Sequence, residues 1–471
     1  MLWEWYQNGL AEAYLIFRDE VFSSKKIDFE ADPKVEFECL KEDLDKFEEF
    51  LEEYKDRPLA NIKVRKEQDG EFFYDIKRIF PRSGKQSIGK DKDVWEVVNF
   101  CIKNKKASCF ICGRQGTRTN TVLFYPFERK VLNYFPSFNE PQRLSLCPLH
   151  QRVLFYSFGN IYYARSDDRV IIFFPSGVDY ERIAEFSTFL KELAFERISA
   201  PEENHSANIR LPKGVSAYFP FEFLLPLLLE VFDLMERKQK DPVEILSEIR
   251  IELVSYLKGG LDIFDHYESI SRIDELFRAF VCLKKKTKGL FSFIPFYNGL
   301  TVGFRERGKK LVDKNKIRED WAKVLLVKHR VDFISLNKAV MENIKIYKDE
   351  YRFIPWYQPI ITGLLEGLGM KNDKELFEKI NALGWHLVAD EARKTGGLGE
   401  NQLKSFLWDI FRTRTSEDFI SALVELQLKL GTNLDLREVM ENKGRWREVK
   451  AILLNGMANA LYGKVTKENS Q

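Results

Sequence analysis

Four side chains in two short pairs constrain this chain more than any other feature of it. Cys109 and Cys112 stand in CFICGRQG, with Gly113 directly after the second thiol, and Cys147 and His150 stand in LCPLH. Two residues between donors let a chain turn so that both side chains reach one ion, and glycine accepts the positive φ such a turn asks for. The second pair precedes QRVLFYSF, which reads as a helix opening at Cys147 and His150. A knuckle followed by a helix start is the layout of a treble-clef-like zinc site. The 34 residues between Cys112 and Cys147 leave room for a hairpin or helix, and TNTVLFYPFERKVLNYFPSF, rich in β-branched and aromatic residues, supplies it. The competing reading is two unrelated surface pairs, or a site that has lost its metal.

The donor set also bears on what such an ion does. Three thiolates and one imidazole close the tetrahedral shell of Zn2+, whereas catalytic zinc keeps a position open for water. No H-E-x-x-H and no H-x-E ahead of P-C-x-x-C supplies a general base. There is no P-loop, because GGLGEN at 396–401 lacks a preceding strand and a following Lys-Ser/Thr, and no G-x-S-x-G elbow. The five histidines, at 150, 205, 266, 329 and 386, are scattered. The chain is expected not to be an enzyme; an unrecognised catalytic metal site is the opposing reading.

A length of 471 residues predicts more than one domain. The fold class expected is α+β and mostly helical, with a mixed N-terminal body around the zinc site and a C-terminal helical bundle. Residues 1–180 form the body, 181–318 a mainly helical middle with a basic loop, and 319–471 the bundle. Within the body, residues 3–22 read as an aromatic helix and 160–177 as a hairpin turning at Ser166-Asp167-Asp168. Helical spacing places Cys101 on the core face of a helix over 93–106, outside the ligand set. In the bundle, Leu376, Ile380, Leu383 and Leu387 make one apolar stripe, and Leu403, Phe406, Leu407 and Ile410 another. Phe419, Leu423, Leu426 and Leu430 make a third, opened by the capping box Thr415-Ser416-Glu417-Asp418 and stopped at Gly431. The interval 284–318 shows no clean periodicity.

The most apolar stretch, AYFPFEFLLPLLLEVFDLM at 217–235, carries Glu222, Glu230, Asp233 and two prolines, which a bilayer span tolerates poorly. It reads as a buried helix. The N-terminus has no basic leader, and six cysteines in a chain this long do not make a disulfide scaffold. The expectation is a cytoplasmic protein without membrane contact.

The net charge of +2 conceals an asymmetry: residues 1–60 hold 8 basic and 17 acidic side chains, net −9, which leaves +11 for the remainder. Basic clusters in that remainder are candidates for phosphate contacts, best beside aromatic rings that stack on unpaired bases. They are Lys106, Arg114 and Arg118 around the knuckle; Lys284, Lys285 and Lys286; Arg305 and Arg307; Arg412 and Arg414; and Lys443, Arg445 and Arg447 around Trp446. Any one of them is more often a solvated face than a binding site; what favours the set is that all of them stand outside the acidic first segment.

The paired C-x-x-C-type motif, the N-terminal WYQNGLAEAYLIF and the helical last third together resemble the large subunit of type I CRISPR Cascade complexes, in the class named for its two CXXC motifs. His150 departs from that pattern, since it stands where the last cysteine would. The resemblance implies a subunit without catalysis of its own. Such a subunit reads the short duplex motif beside the target, helps open the duplex and recruits a helicase-nuclease, while base pairing with a guide RNA reads the long sequence. Implied partners are the Cascade backbone subunits and guide RNA, target double-stranded DNA, its displaced single strand, and the helicase-nuclease. On this view Arg412, Arg414, Lys443, Arg445 and Arg447 guide the displaced strand along the bundle. The alternative is a zinc-stapled nucleic-acid-binding or scaffold protein outside CRISPR systems.

Overall fold

The computed structural model describes residues 2–17, 64–66, 72–74, 106–109, 113–118, 145–147, 150, 153–154, 156–165, 169–195, 219–257, 263–287, 293–300, 316–347, 357–389, 400–431 and 435–462. It is mostly helical, with small antiparallel sheets. The expected strand stretch over 119–138 and the Cys101 helix lie outside these residues. By contacts the chain divides into two compact units. Unit 1 comprises Met1–Pro212 and Asp233–Asp274, and unit 2 comprises Lys213–Phe232 and Glu275–Gln471.

Unit 1 opens with helix α1 (Leu2–Phe17), buried along most of its length. Strands β1 (Val64–Lys66) and β2 (Phe72–Tyr74) pair antiparallel. Strands β3 (Lys106–Ser108), β4 (Gln115–Arg118) and β5 (Ser145–Leu146) form a three-stranded antiparallel sheet. The main sheet has the order β6 (Tyr162–Arg165), β7 (Arg169–Gly177), β8 (Ile249–Leu257), β9 (Ile263–Ile270). Strands β6 and β7 are the hairpin that the sequence predicts. Val170–Phe174 of β7 are wholly buried, as an uninterrupted apolar run requires when both faces of a strand are covered. Helices α1 and α2 (Tyr180–Phe195) pack against β7, with the Trp5 ring edge-on to Phe174 at 5.2 Å between centroids.

Glu252 is an exception in that sheet, a fully buried carboxylate on β8. It accepts hydrogen bonds from Ser176 Oγ at 2.6 Å, Tyr267 OH at 2.8 Å and Ser269 Oγ at 2.9 Å. Burial raises its pKa from the usual 4.5, and the nearby Glu4 carboxylate on α1 raises it further against those three hydroxyl bonds. Because the folded value lies above the unfolded one, its stabilising contribution is complete below about 4.5 and is lost as pH rises through the folded value. Glu252→Gln should therefore flatten the fall in unit 1 stability from mildly acidic to mildly alkaline buffer, as read by denaturant unfolding.

In the chain, helices α3 (Pro220–Arg237) and α4 (Pro242–Leu246) precede β8, and α5 (Ile273–Thr287) follows β9. The apolar stretch at 217–235 thus lies largely in α3, with Pro226 inside it. No helix of the described residues is long and apolar enough to cross a membrane.

Among the described residues, unit 2 continues with the helices α6 (Phe293–Gly299), α7 (Lys316–Lys328), α8 (Phe333–Tyr347), α9 (Tyr357–Gly367), α10 (Lys371–Ala389), α11 (Glu400–Arg412), α12 (Ser416–Leu430), α13 (Arg437–Glu441) and α14 (Trp446–Tyr462). Helix α6 falls in the interval that showed no periodicity. It is short and held by rings, with Phe296 edge-on to Trp321 at 5.6 Å. Helix α12 begins and ends as its sequence predicts: Thr415 Oγ1 accepts from Asp418 N–H at 3.1 Å, and Gly431 is left-handed.

Helices α10 and α14 cross closely, through reciprocal glycines. A Cβ on Gly384 would lie 2.2 Å from the Leu453 carbonyl oxygen, and one on Gly456 would lie 2.3 Å from that of Asn381. Backbone cannot retreat as a flexible side-chain tip does, so Gly456→Ala should cost at least about 1–3 kcal/mol in denaturant unfolding. Polar pairs fix neighbouring helices, with Asn337 on α8 donating to Asn455 at 2.9 Å and Tyr357 on α9 bonding Asn381.

Candidate functional site

Strands β3 and β4 position the first cysteine. Cys109 follows β3 directly, its N–H donates to the Arg114 carbonyl at 2.7 Å, and its own carbonyl accepts from Gly113 N–H at 2.9 Å. The turn so closed requires φ of +71° at Gly113, which explains glycine there. Cys147 follows β5, and His150 is helical three residues on. The His150 Nδ1 lies 3.0 Å from Cys147 Sγ and 3.6 Å from Cys109 Sγ. All three donor atoms fall within 4.8 Å of one another, and all three residues are buried. Donors bound to one tetrahedral zinc at about 2.0–2.3 Å stand roughly 3.5 Å apart, so this spacing fits a single ion. The group can therefore hold a metal ion. Cys112 lies outside the described residues.

Helix α1 backs this centre. The Tyr6 ring lies 5.3 Å from the His150 ring. Residues 153, 154 and 156 are helical and run into the 3-10 turn Ser157–Asn160, against which α1 packs. Nothing in the local pattern of residues 3–22 pointed to this partner, since the pairing spans about 150 positions and leaves no periodic trace.

The predicted basic residues divide. Lys106 opens β3, Arg118 closes β4, and Arg114 is half-buried in the turn between. Lys284, Lys285 and Lys286 form the last turn of α5. Lys286 shares the Glu366 carboxylate with Lys374, at 3.3 and 2.9 Å, and those two hydrogen bonds hold Glu366 below its usual range. Arg305 and Arg307 lie outside the described residues.

The bundle brings two of the clusters together. Lys450 on α14 donates to the carbonyls of Thr413 at 2.8 Å and Phe411 at 3.3 Å, which closes the C-terminus of α11 and sets Arg412 and Arg414 beside the first turn of α14. Burial, and then neighbouring Arg447, lower the Lys450 pKa from 10.5. Arg447 and Lys450 sit over the half-buried Trp446 ring, at 5.5 and 5.3 Å from its centroid. Arg414, Lys443 and Arg447 are exposed and make no ion pair among the described residues, while exposed Arg412 is 3.9 Å from Asp409. Arg445 is different, being committed to Asp373 at 2.6 Å and to Glu448. Lys450 escaped the sequence reading because it stands alone inside a helix; its position one turn after Arg447, on the same face, was the available signal.

The sequence matches no protein-family model and no curated protein.

Proposed function

We propose that this chain is the non-catalytic large subunit of an RNA-guided CRISPR surveillance complex, with a metal-stapled body and a nucleic-acid-binding bundle. The observation that carries the binding reading is the cationic corner of Arg447 and Lys450 over the Trp446 ring, with Lys450 bonded to the Thr413 carbonyl between exposed Arg412 and Arg414. Fixed cations attract phosphate, and an adjacent indole offers a face on which any base stacks, which suits a single strand of undefined sequence. The assignment to an RNA-guided complex rests on the resemblance in the paired motifs and the aromatic N-terminus. In that setting the backbone subunits and guide RNA hold the target strand, the bundle holds the displaced strand, and a separate helicase-nuclease cuts. The setting is cytoplasmic.

Under the same proposal the ion is structural Zn2+, with Cys112 as fourth ligand beside Cys109, Cys147 and His150 in a treble-clef-like site. The support is the donor set: soft sulfur and imidazole, buried, without a carboxylate among the clustered atoms. Zinc here would supply cross-linking alone, tying the turn after β3 to the helical stretch at His150.

Affinity for a single-stranded oligonucleotide, measured against salt, tests the binding reading. Three or four phosphate contacts predict a log–log slope of about −2 to −3. Arg414→Glu with Arg447→Glu should flatten that slope by about 1.4. Binding indifferent to salt, or to both substitutions, would remove the bundle from the nucleic-acid path. Salt-dependent binding by a chain that never carries guide RNA would favour a nucleic-acid-binding protein outside CRISPR systems.

A further inference from the structure

The residues that follow His150 are the seat of helix α1. Trp5 Nε1 donates to the Leu154 carbonyl at 3.0 Å, and Ser157 Oγ donates back to the Trp5 carbonyl. Asn8 Nδ2 reaches the carbonyls of Ser157 at 3.2 Å and Asn160 at 3.1 Å, while Asn160 Nδ2 donates to Asn8 Oδ1 at 2.7 Å. Gly9 lets the two backbones touch, since a Cβ there would lie 2.0 Å from the Val153 carbonyl oxygen. Beyond that contact Glu12 pairs with Lys191 of α2. These hydrogen bonds join α1 to Leu154, Ser157 and Asn160, within ten residues of a metal donor, and the donor ring itself packs on Tyr6.

We infer that the metal centre is the clamp on the N-terminal helix: ion binding fixes His150 and the stretch to Asn160, and that stretch holds α1. The inference rests on the metal reading above and adds what the ion controls. Free chains of about ten residues lose conformational freedom when they order, so a fixed anchor at one end makes the surface for α1 cheaper to form. Linkage is reciprocal: if the ion favours docking of α1, docking must favour the ion by the same factor. Residues on α1 that touch no ligand therefore set metal affinity. The sheet β6–β9 meets α1 where Phe174 lies against Trp5, but its strand pairing is made within the sheet and is expected to survive undocking of α1.

Hydrogen exchange of the full chain, with zinc and after chelation, tests the clamp. Zinc removal should speed exchange at least about ten-fold in peptides covering 2–17 and 153–160, within the usual range of such coupling, and leave β7 and β8 protected. Chelator competition should show Asn8→Ala weakening zinc about ten-fold, and Trp5→Phe, which removes the indole N–H donor and part of the ring, weakening it less. Zinc that leaves with α1 still protected would overturn the inference, as would Asn8→Ala and Trp5→Phe chains that both hold zinc as the parent does. Loss of protection throughout unit 1, β7 and β8 included, would make the ion a general folding requirement and also overturn it. A chain that takes up no zinc at all would defeat the metal reading itself.

Discussion

Cys147→Ser should take the zinc content of the purified chain from one equivalent to none, and Cys112→Ser should do the same. Serine keeps the size of the side chain but offers a hard, protonated oxygen in place of a thiolate, so the shell cannot close. Small zinc-dependent domains draw about 10–16 kcal/mol from their ion at neutral pH. Unit 1 also has a buried four-stranded sheet, so the loss expressed in its unfolding should be smaller, on the order of several kcal/mol. Cys101→Ser is the control, because helical spacing places that thiol away from the ligands. Metal analysis beside denaturant unfolding reads both effects. Full zinc in the Cys112 variant would dismiss it as the fourth ligand, and full zinc in the Cys147 variant would dismiss the site.

Arg318→Met should be the most damaging single change in unit 2, at about 3–5 kcal/mol by denaturant unfolding. Arg318 on α7 and Glu222 on α3 form an ion pair with side chains only 2% and 0% exposed. The guanidinium also donates to Asn298 at 3.1 Å and lies 5.3 Å from the Tyr297 ring centre. Tyr297 OH in turn donates to the Glu222 carbonyl at 2.9 Å, and the Glu222 N–H donates to Glu319 at 2.6 Å. Removing the cation leaves a carboxylate buried without its counter-charge, which costs far more than the pair is worth as a whole. Adding Glu222→Gln should accordingly recover much of the loss. A double variant as unstable as the sum of the two singles would show that the two residues do not act as a pair.

Much of the bundle could be read in advance because its information is local. Leu403, Leu407 and Ile410 repeat at the helical period and are buried. Thr415 and Gly431 mark the ends of α12 through bonds that span only a few residues. The grouping of Cys109, Cys147 and His150 was legible for the same reason, since the geometry of Cys109 depends on a turn that closes at Gly113. What escaped depends on residues far apart. Glu222 counted as a charge that argues against a membrane span, yet its partner stands 96 positions away. Arg445 looked like its neighbours Lys443 and Arg447, but Asp373, 72 positions upstream, holds it. The seat of α1 likewise required knowing what 153–160 would face. Composition identifies a charged residue; only the fold decides whether that charge is spent internally or left for a partner.

Recovery of the tagged chain from its native cells, with identification of what accompanies it, bears directly on the assignment to an RNA-guided complex. That assignment requires a short guide RNA derived from a repeat array, repetitive backbone subunits in excess over this chain, and one equivalent of zinc in it. Recovery of the zinc-loaded chain alone, without RNA or such subunits under gentle low-salt conditions, would contradict it.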